Sequence, residues 1–128
     1  MRVHFERTGG VGGLRLTAEI DTDQPQVTYG ATRVQRALTP EEARYLARLV
    51  ESSNFFALPA RTSSATRSAD SFQYLITAEN AGNRHSVQTT DETASETLKA
   101  LIACLTRVAM GRRVVPNAGD PPQDSGRP

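Results

Sequence analysis

Residues 2–21 restrict the fold more than any other stretch, because they alternate in polarity on both sides of a loop made mostly of glycine. Val3 and Phe5 alternate with His4 and Glu6, the period of a half-buried strand. In a second run Leu14, Leu16, Ala18 and Ile20 fall on one face, and Arg15, Thr17 and Glu19 on the other. Between them lie Thr8, Gly9, Gly10, Val11, Gly12 and Gly13, four glycines in six residues. Such a loop permits positive φ and tight backbone paths at a high entropic cost of ordering. The result is an antiparallel hairpin with one apolar face, which something else in the chain must cover.

Two segments have the period of helices that can cover it. Thr39 is an N-cap, Pro40 occupies the first helical position and Glu42 completes a capping box. Ala43, Leu46, Ala47, Leu49 and Val50 form the apolar stripe, and Arg44, Arg48 and Glu51 point outward. This helix should run out near Ser53 or Asn54, where Phe55, Phe56, Leu58 and Pro59 pin its end against the sheet. Thr93 and Glu96 form a second capping box, ahead of a stripe of Leu98, Leu101, Ile102, Leu105 and Val108 that stops at Gly111. Between the helices, residues 61–71 are a polar loop. Residues 72–79 follow as a strand with Phe72, Tyr74, Ile76 and Ala78 on one face. Residues 80–83 then turn the chain into a returning strand over 84–89. Pro25 and Gly30 interrupt residues 22–38, which read as an irregular excursion or edge segment with Val27 and Tyr29 in a short extended piece. The expected architecture is α+β, in the order ββαββα: a four-stranded antiparallel sheet with two helices packed on one face. It forms a single domain over residues 1–110. Residues 111–128 hold four prolines and few apolar side chains, and read as a disordered C-terminal tail.

Composition narrows the function. The chain has 128 residues and a net charge of +1, and residues 1–111 carry 12 basic against 12 acidic side chains. That balance argues against a nucleic-acid partner, and the arginines are scattered among acids rather than gathered in a stripe. One cysteine excludes an internal disulfide, and with two histidines it cannot build a Cys/His zinc cage. No apolar run approaches the ~18 residues needed to span a membrane, and residues 1–10 alternate in polarity and read as lacking the apolar middle of a signal peptide. The glycine loop joins two strands rather than opening a helix, so it lacks the geometry of a phosphate loop. His4 and His85 could pair with Asp70 or Asp91 as a metal or acid/base site, although histidines on strands are more often solvent-facing or simply hydrogen-bonded. Cys104, inside an apolar stripe, reads as a small buried hydrophobe. Neither an HExxH helix nor a GxSxG turn is present. Without a converging nucleophile, base and orienter, the chain reads as a non-enzymatic binding protein that needs no cofactor and no metal.

Three segments resemble the emfourin family. Residues 2–22, RVHFERTGGVGGLRLTAEIDT, resemble its first hairpin with an Arg-Ser/Thr-Gly-Gly loop. Residues 38–59, LTPEEARYLARLVESSNFFALP, resemble its first helix and Phe-Phe-x-Leu-Pro exit. Residues 70–91, DSFQYLITAENAGNRHSVQTTD, resemble its second hairpin, while residues 23–37 are longer than the family's connection. The resemblance implies a proteinaceous inhibitor of thermolysin-like, protealysin-type (M4) zinc metallopeptidases, cytoplasmic and monomeric when free, that blocks the active-site cleft with exposed loops. Thr8, Gly9, Gly10, Val11, Gly12, Gly13 and Leu14 are then the first candidates for protease contact, with Val11 and Leu14 as apolar anchors. Asp21, Asp23, Tyr29 and Asp70 are secondary candidates, one of the carboxylates being an alternative approach to the target's zinc. A glycine-rich hairpin tip is also a common structural device, and an interaction module for some other protein is the alternative reading.

Overall fold

A computed structural model describes residues 1–9, 15–60, 72–90 and 93–114. The elements run β1 (Arg2–Gly9), β2 (Leu16–Asp21), β3 (Gln26–Tyr29), β4 (Val34–Ala37), α1 (Pro40–Ser52), a 3-10 turn (Phe55–Ala57), β5 (Phe72–Asn80), β6 (Asn83–Thr90) and α2 (Glu96–Ala109). All the strands join one antiparallel sheet in the order β4-β3-β2-β1-β5-β6. The α+β class and the pair of helices agree with the sequence reading. The sheet has six strands rather than the four expected, because the supposed excursion is a hairpin, β3–β4, added to the outer edge of β2. Pro25 and Gly30 stand beside these strands, in the turns, instead of interrupting them. Short strands hide from periodicity analysis because only Val27 is buried here, with Tyr29 half-buried against the core; β4 is exposed or half-exposed throughout.

Val3, Phe5, Ala18, Ile20, Val27, Tyr74, Ile76, Ala78 and Val87 form the inward face of the sheet. They share one core with Leu46 and Val50 of α1 and with Leu98, Leu101, Ile102, Leu105 and Val108 of α2. Phe55 is buried with them, whereas Phe56 turns outward. The predicted cap of α1 forms as expected: Thr39 Oγ1 accepts from the Glu42 N–H at 3.1 Å, and the Thr39 N–H donates to Glu42 Oε1 at 3.1 Å. The cap of α2 is Ser95, not Thr93; Ser95 Oγ accepts from the Leu98 N–H at 3.3 Å. Thr93 is held elsewhere, its hydroxyl 3.2 Å from Thr89 Oγ1 and 3.0 Å from Thr90 Oγ1. Gly111 ends α2 with φ +84°, its N–H bonded to Val108 O and the Arg112 N–H to Arg107 O, the double bond pattern of a Schellman stop.

A buried carboxylate ties the C-terminal side of the domain to its middle. Glu42 is 2% exposed. It accepts from both Arg36 Nη atoms at 3.1 Å and from the Val114 N–H at 2.8 Å. Burial alone would raise its pKa; the Arg36 fork and the Val114 and Thr39 N–H groups outweigh that and hold it below its ordinary value. The Val114 side chain is fully buried, so the packed body extends at least to residue 114. Residues 115–128 of the expected tail lie outside the described residues.

Candidate functional site

The register of the sheet decides which of the candidate residues can act together. Gly9 at the end of β1 pairs with Phe72 at the start of β5, and Thr8 pairs with Gln73. Arg7 pairs with Leu16, the first residue of β2, and Gln73 with Thr90, the last of β6. The chain therefore leaves for residues 10–14, returns from 61–71 and leaves for 91–92 at a single end of the sheet. Of the leading candidates, Thr8 and Gly9 are placed at this end, Gly9 with φ +97°, a backbone angle that a side chain disfavours. Gly10, Val11, Gly12, Gly13, Leu14 and Asp70 lie outside the described residues.

The base of this loop end is braced by stacked side chains. The Arg7 guanidinium sits over the Phe72 ring, 4.1 Å from its centroid. Phe72 and Tyr74 follow at 6.4 Å, and Tyr74 and Phe5 at 6.1 Å, so the brace runs back into the core. On the opposite face Arg15 Nη2 pairs with Glu6 Oε2 at 2.7 Å, fixing the residue at which the chain returns to the sheet. Composition gave no hint of the brace, but parity did carry one. Arg7 continues the Val3–Phe5 series and so places a cation on the apolar side of the sheet.

The described secondary candidates, Asp21, Asp23 and Tyr29, do not gather here. Asp21 pairs with Arg2 at the start of β1, the far end of the sheet. Seven residue steps at ~3.3 Å each separate Arg2 from Gly9, about 23 Å. Asp21 Oδ1 accepts the N–H groups of Gln24 and Asp23 at 3.1 and 2.9 Å, shaping the β2–β3 turn. The Gln24 bond leads the causes that lower its pKa. Asp23 binds the terminal ammonium of Met1 at 2.9 Å. Tyr29 is half-buried beside the α2 stop, so close that a Cβ on Gly111 would stand 3.0 Å from the ring. The histidines also part company. His4 faces the open side of the sheet, 3.3 Å from Glu19 Oε2. His85 lies on the helix-covered side, its Nε2 2.7 Å from Leu58 O and its ring edge-on to Phe55. Asp91 lies outside the described residues, and among those described no three potential ligands are grouped to hold a metal ion.

This scaffold agrees in extent with a family match: the emfourin profile aligns with residues 5–106. The chain belongs to the emfourin family. The match begins inside β1 and ends inside α2, so it takes in all of the sheet except the first three residues of β1. Emfourins are known as metallopeptidase inhibitors, and the family points to a protease as partner. No curated protein and no solved structure matches this chain. Among the described residues no helix is long and apolar enough to cross a membrane.

Proposed function

We propose that this emfourin inhibits thermolysin-like, protealysin-type zinc metallopeptidases by seating the loop end of its sheet in the active-site cleft. The observation that carries the reading is the convergence of the two strand ends beside residues 10–14 with the start of β5 after residues 61–71, all on one braced rim. A competitive inhibitor gains affinity when its contact segments spring from a scaffold that loses little freedom on binding. Val11 and Leu14 are the proposed apolar anchors for the pocket beside the target's zinc, with Thr8, Gly9, Gly10, Gly12 and Gly13 offering backbone bonds and close approach. Asp70 belongs to the segment that re-enters at the same rim. Asp21 and Asp23 sit at the other end of β1, and both are engaged in holding the β2–β3 turn and the N-terminus. A carboxylate approach to the zinc from them would need the opposite end of the sheet in the cleft.

The test is titration of the purified protein against several thermolysin-like enzymes with a chromogenic peptide substrate. Competitive inhibition is expected, and Val11→Asp should weaken it at least tenfold with the melting temperature unchanged. Absence of inhibition at micromolar excess over every enzyme tried would refute the reading. An unchanged inhibition constant for Val11→Asp would move the anchor to residues 61–71.

A further inference from the structure

Beside the braced rim, between β1, β5 and α2, lies a cleft of about 380 Å³ lined by Arg7, Tyr74, Lys99, Ile102, Ala103, Thr106 and Arg107. Among the described residues its three charged lining side chains are all cations, and none that lines it is a carboxylate. Lys99, Ile102, Ala103, Thr106 and Arg107 recur at the three- and four-residue spacing of one α2 face, while Arg7 comes from the strand opposite.

These cations are held in place yet have little negative charge near them. Arg7 makes its described contact with the Phe72 ring and has no carboxylate partner among the described residues. Arg107 Nη2 donates to the Val114 carbonyl at 2.9 Å, which fixes the side chain without neutralising it. The Nε atoms of both arginines are buried and lack a hydrogen-bond partner, which in a native protein calls for an explanation. Lys99 reaches Glu96 at 3.6 Å, but that carboxylate is 93% exposed and turned to solvent, where such a pair contributes little. Elsewhere in the sheet most cations are matched: Arg2 by Asp21, Arg15 by Glu6, Arg33 by Glu19 and Arg36 by Glu42.

We infer that this cleft receives an acidic side chain, Asp or Glu, from the surface of the bound metallopeptidase, as an electrostatic anchor beside the loop contact. The inference rests on the inhibitor reading and deepens it. Two observations favour a carboxylate on a protein partner. A guanidinium offers parallel N–H donors that match a carboxylate, and the buried Ile102 and Tyr74 give the cleft an apolar side against which such a pair can form. The cleft also continues the proposed contact surface, since Arg7 stands two residues before Gly9 and Phe72 is the first residue after 61–71. A protease seated on the loops is thereby brought over the cleft.

The experiment measures inhibition constants and association rates for the wild type, Lys99→Glu and Arg7→Gln at about 50 and 300 mM salt, with a melting temperature for each. Lys99 is half-exposed on a helix surface, so its variant keeps the fold even if Arg7→Gln does not. The expected result is inhibition weakened at least tenfold by Lys99→Glu, mostly through slower association. Its salt dependence should also be shallower than the wild type's. A folded Lys99→Glu with wild-type constants at both salt concentrations overturns the anchor and leaves the inhibitor reading intact. A wild type that inhibits none of the enzymes overturns both.

Discussion

Replacing Glu42 with alanine removes a carboxylate that three separate parts of the chain use. The Val114 N–H, fully buried, loses its 2.8 Å acceptor, and an unsatisfied buried donor costs about 1–3 kcal/mol. Arg36 loses a two-pronged partner but keeps the Ala37 and Arg112 carbonyls at 3.0 and 3.1 Å, and its side chain is 23% exposed. Its penalty therefore falls at the low end of that for breaking a buried ion pair, about 1–2 kcal/mol after discounting for solvent. The α1 capping box also loses its return bond to the Thr39 N–H, about 0.5 kcal/mol. The expected destabilisation is about 2.5–5.5 kcal/mol, a large share of a small domain's total. It corresponds to a drop in melting temperature of about 10–30 °C. Urea unfolding followed by circular dichroism at neutral pH measures it directly. A loss below about 1 kcal/mol with an unchanged urea slope would refute the argument, because the carboxylate would then not hold these elements together. The pH dependence supplies a second check. Glu42 titrates below its ordinary value of 4.5, so its contribution is fully present above that value and is lost as pH falls through the lower folded-state pKa. The stability gap between the wild type and Glu42→Gln should narrow on acidification over that range. A gap constant down to pH 3 would contradict the assigned partners.

Three further outcomes follow from the backbone and the core. Ala81 occupies the β5–β6 turn with φ +52°, a left-handed angle that asparagine tolerates better, so Ala81→Asn should stabilise by about 0.5–1 kcal/mol. A lowered melting temperature would contradict that. Gly111→Ala meets both a φ of +84° and the Tyr29 ring at 3.0 Å; a loss of about 2 kcal/mol is expected in thermal unfolding, and a neutral change would show that the stop can be rebuilt at no cost. Cys104 is fully buried and its thiol is pushed up to about 11 by burial, against the opposing pull of Arg107. At pH 8 the folded protein should not react with a thiol-specific chromogenic disulfide, whereas one thiol per chain should react in urea; rapid reaction of the folded protein would exclude this packing.

Much of the local structure was legible in the residues. Strand parity assigned Val3, Phe5, Ala18, Ile20, Tyr74, Ile76 and Ala78 to one face, and all of them are buried. The capping box at Thr39 and the stop at Gly111 follow from hydrogen-bond chemistry that acts within a few residues, so they can be read without the rest of the fold. The misassignments arose where a competing local bond or a weak apolar signal obscured the pattern. Thr93 has the spacing of a cap but is held by Thr89 and Thr90, and Ser95 takes its place. The β3–β4 hairpin buries only Val27, too little apolar signal for alternation to show.

The same division applies to the functional surface. Local pattern by itself determined that the glycine-rich segment joins two strands of a hairpin. Only the tertiary structure decided which segments share an end of the sheet, because antiparallel register is set by pairing among strands up to some seventy residues apart. That register brings Gly9 beside Phe72 and leaves Asp21 and Asp23 about 23 Å away. It also buries Glu42, which the sequence pattern treats as an ordinary cap residue, beneath Val114, 72 positions later. Arg7, Lys99 and Arg107 look like scattered charge in the linear chain; the packing of α2 across the sheet turns them into one cationic cleft.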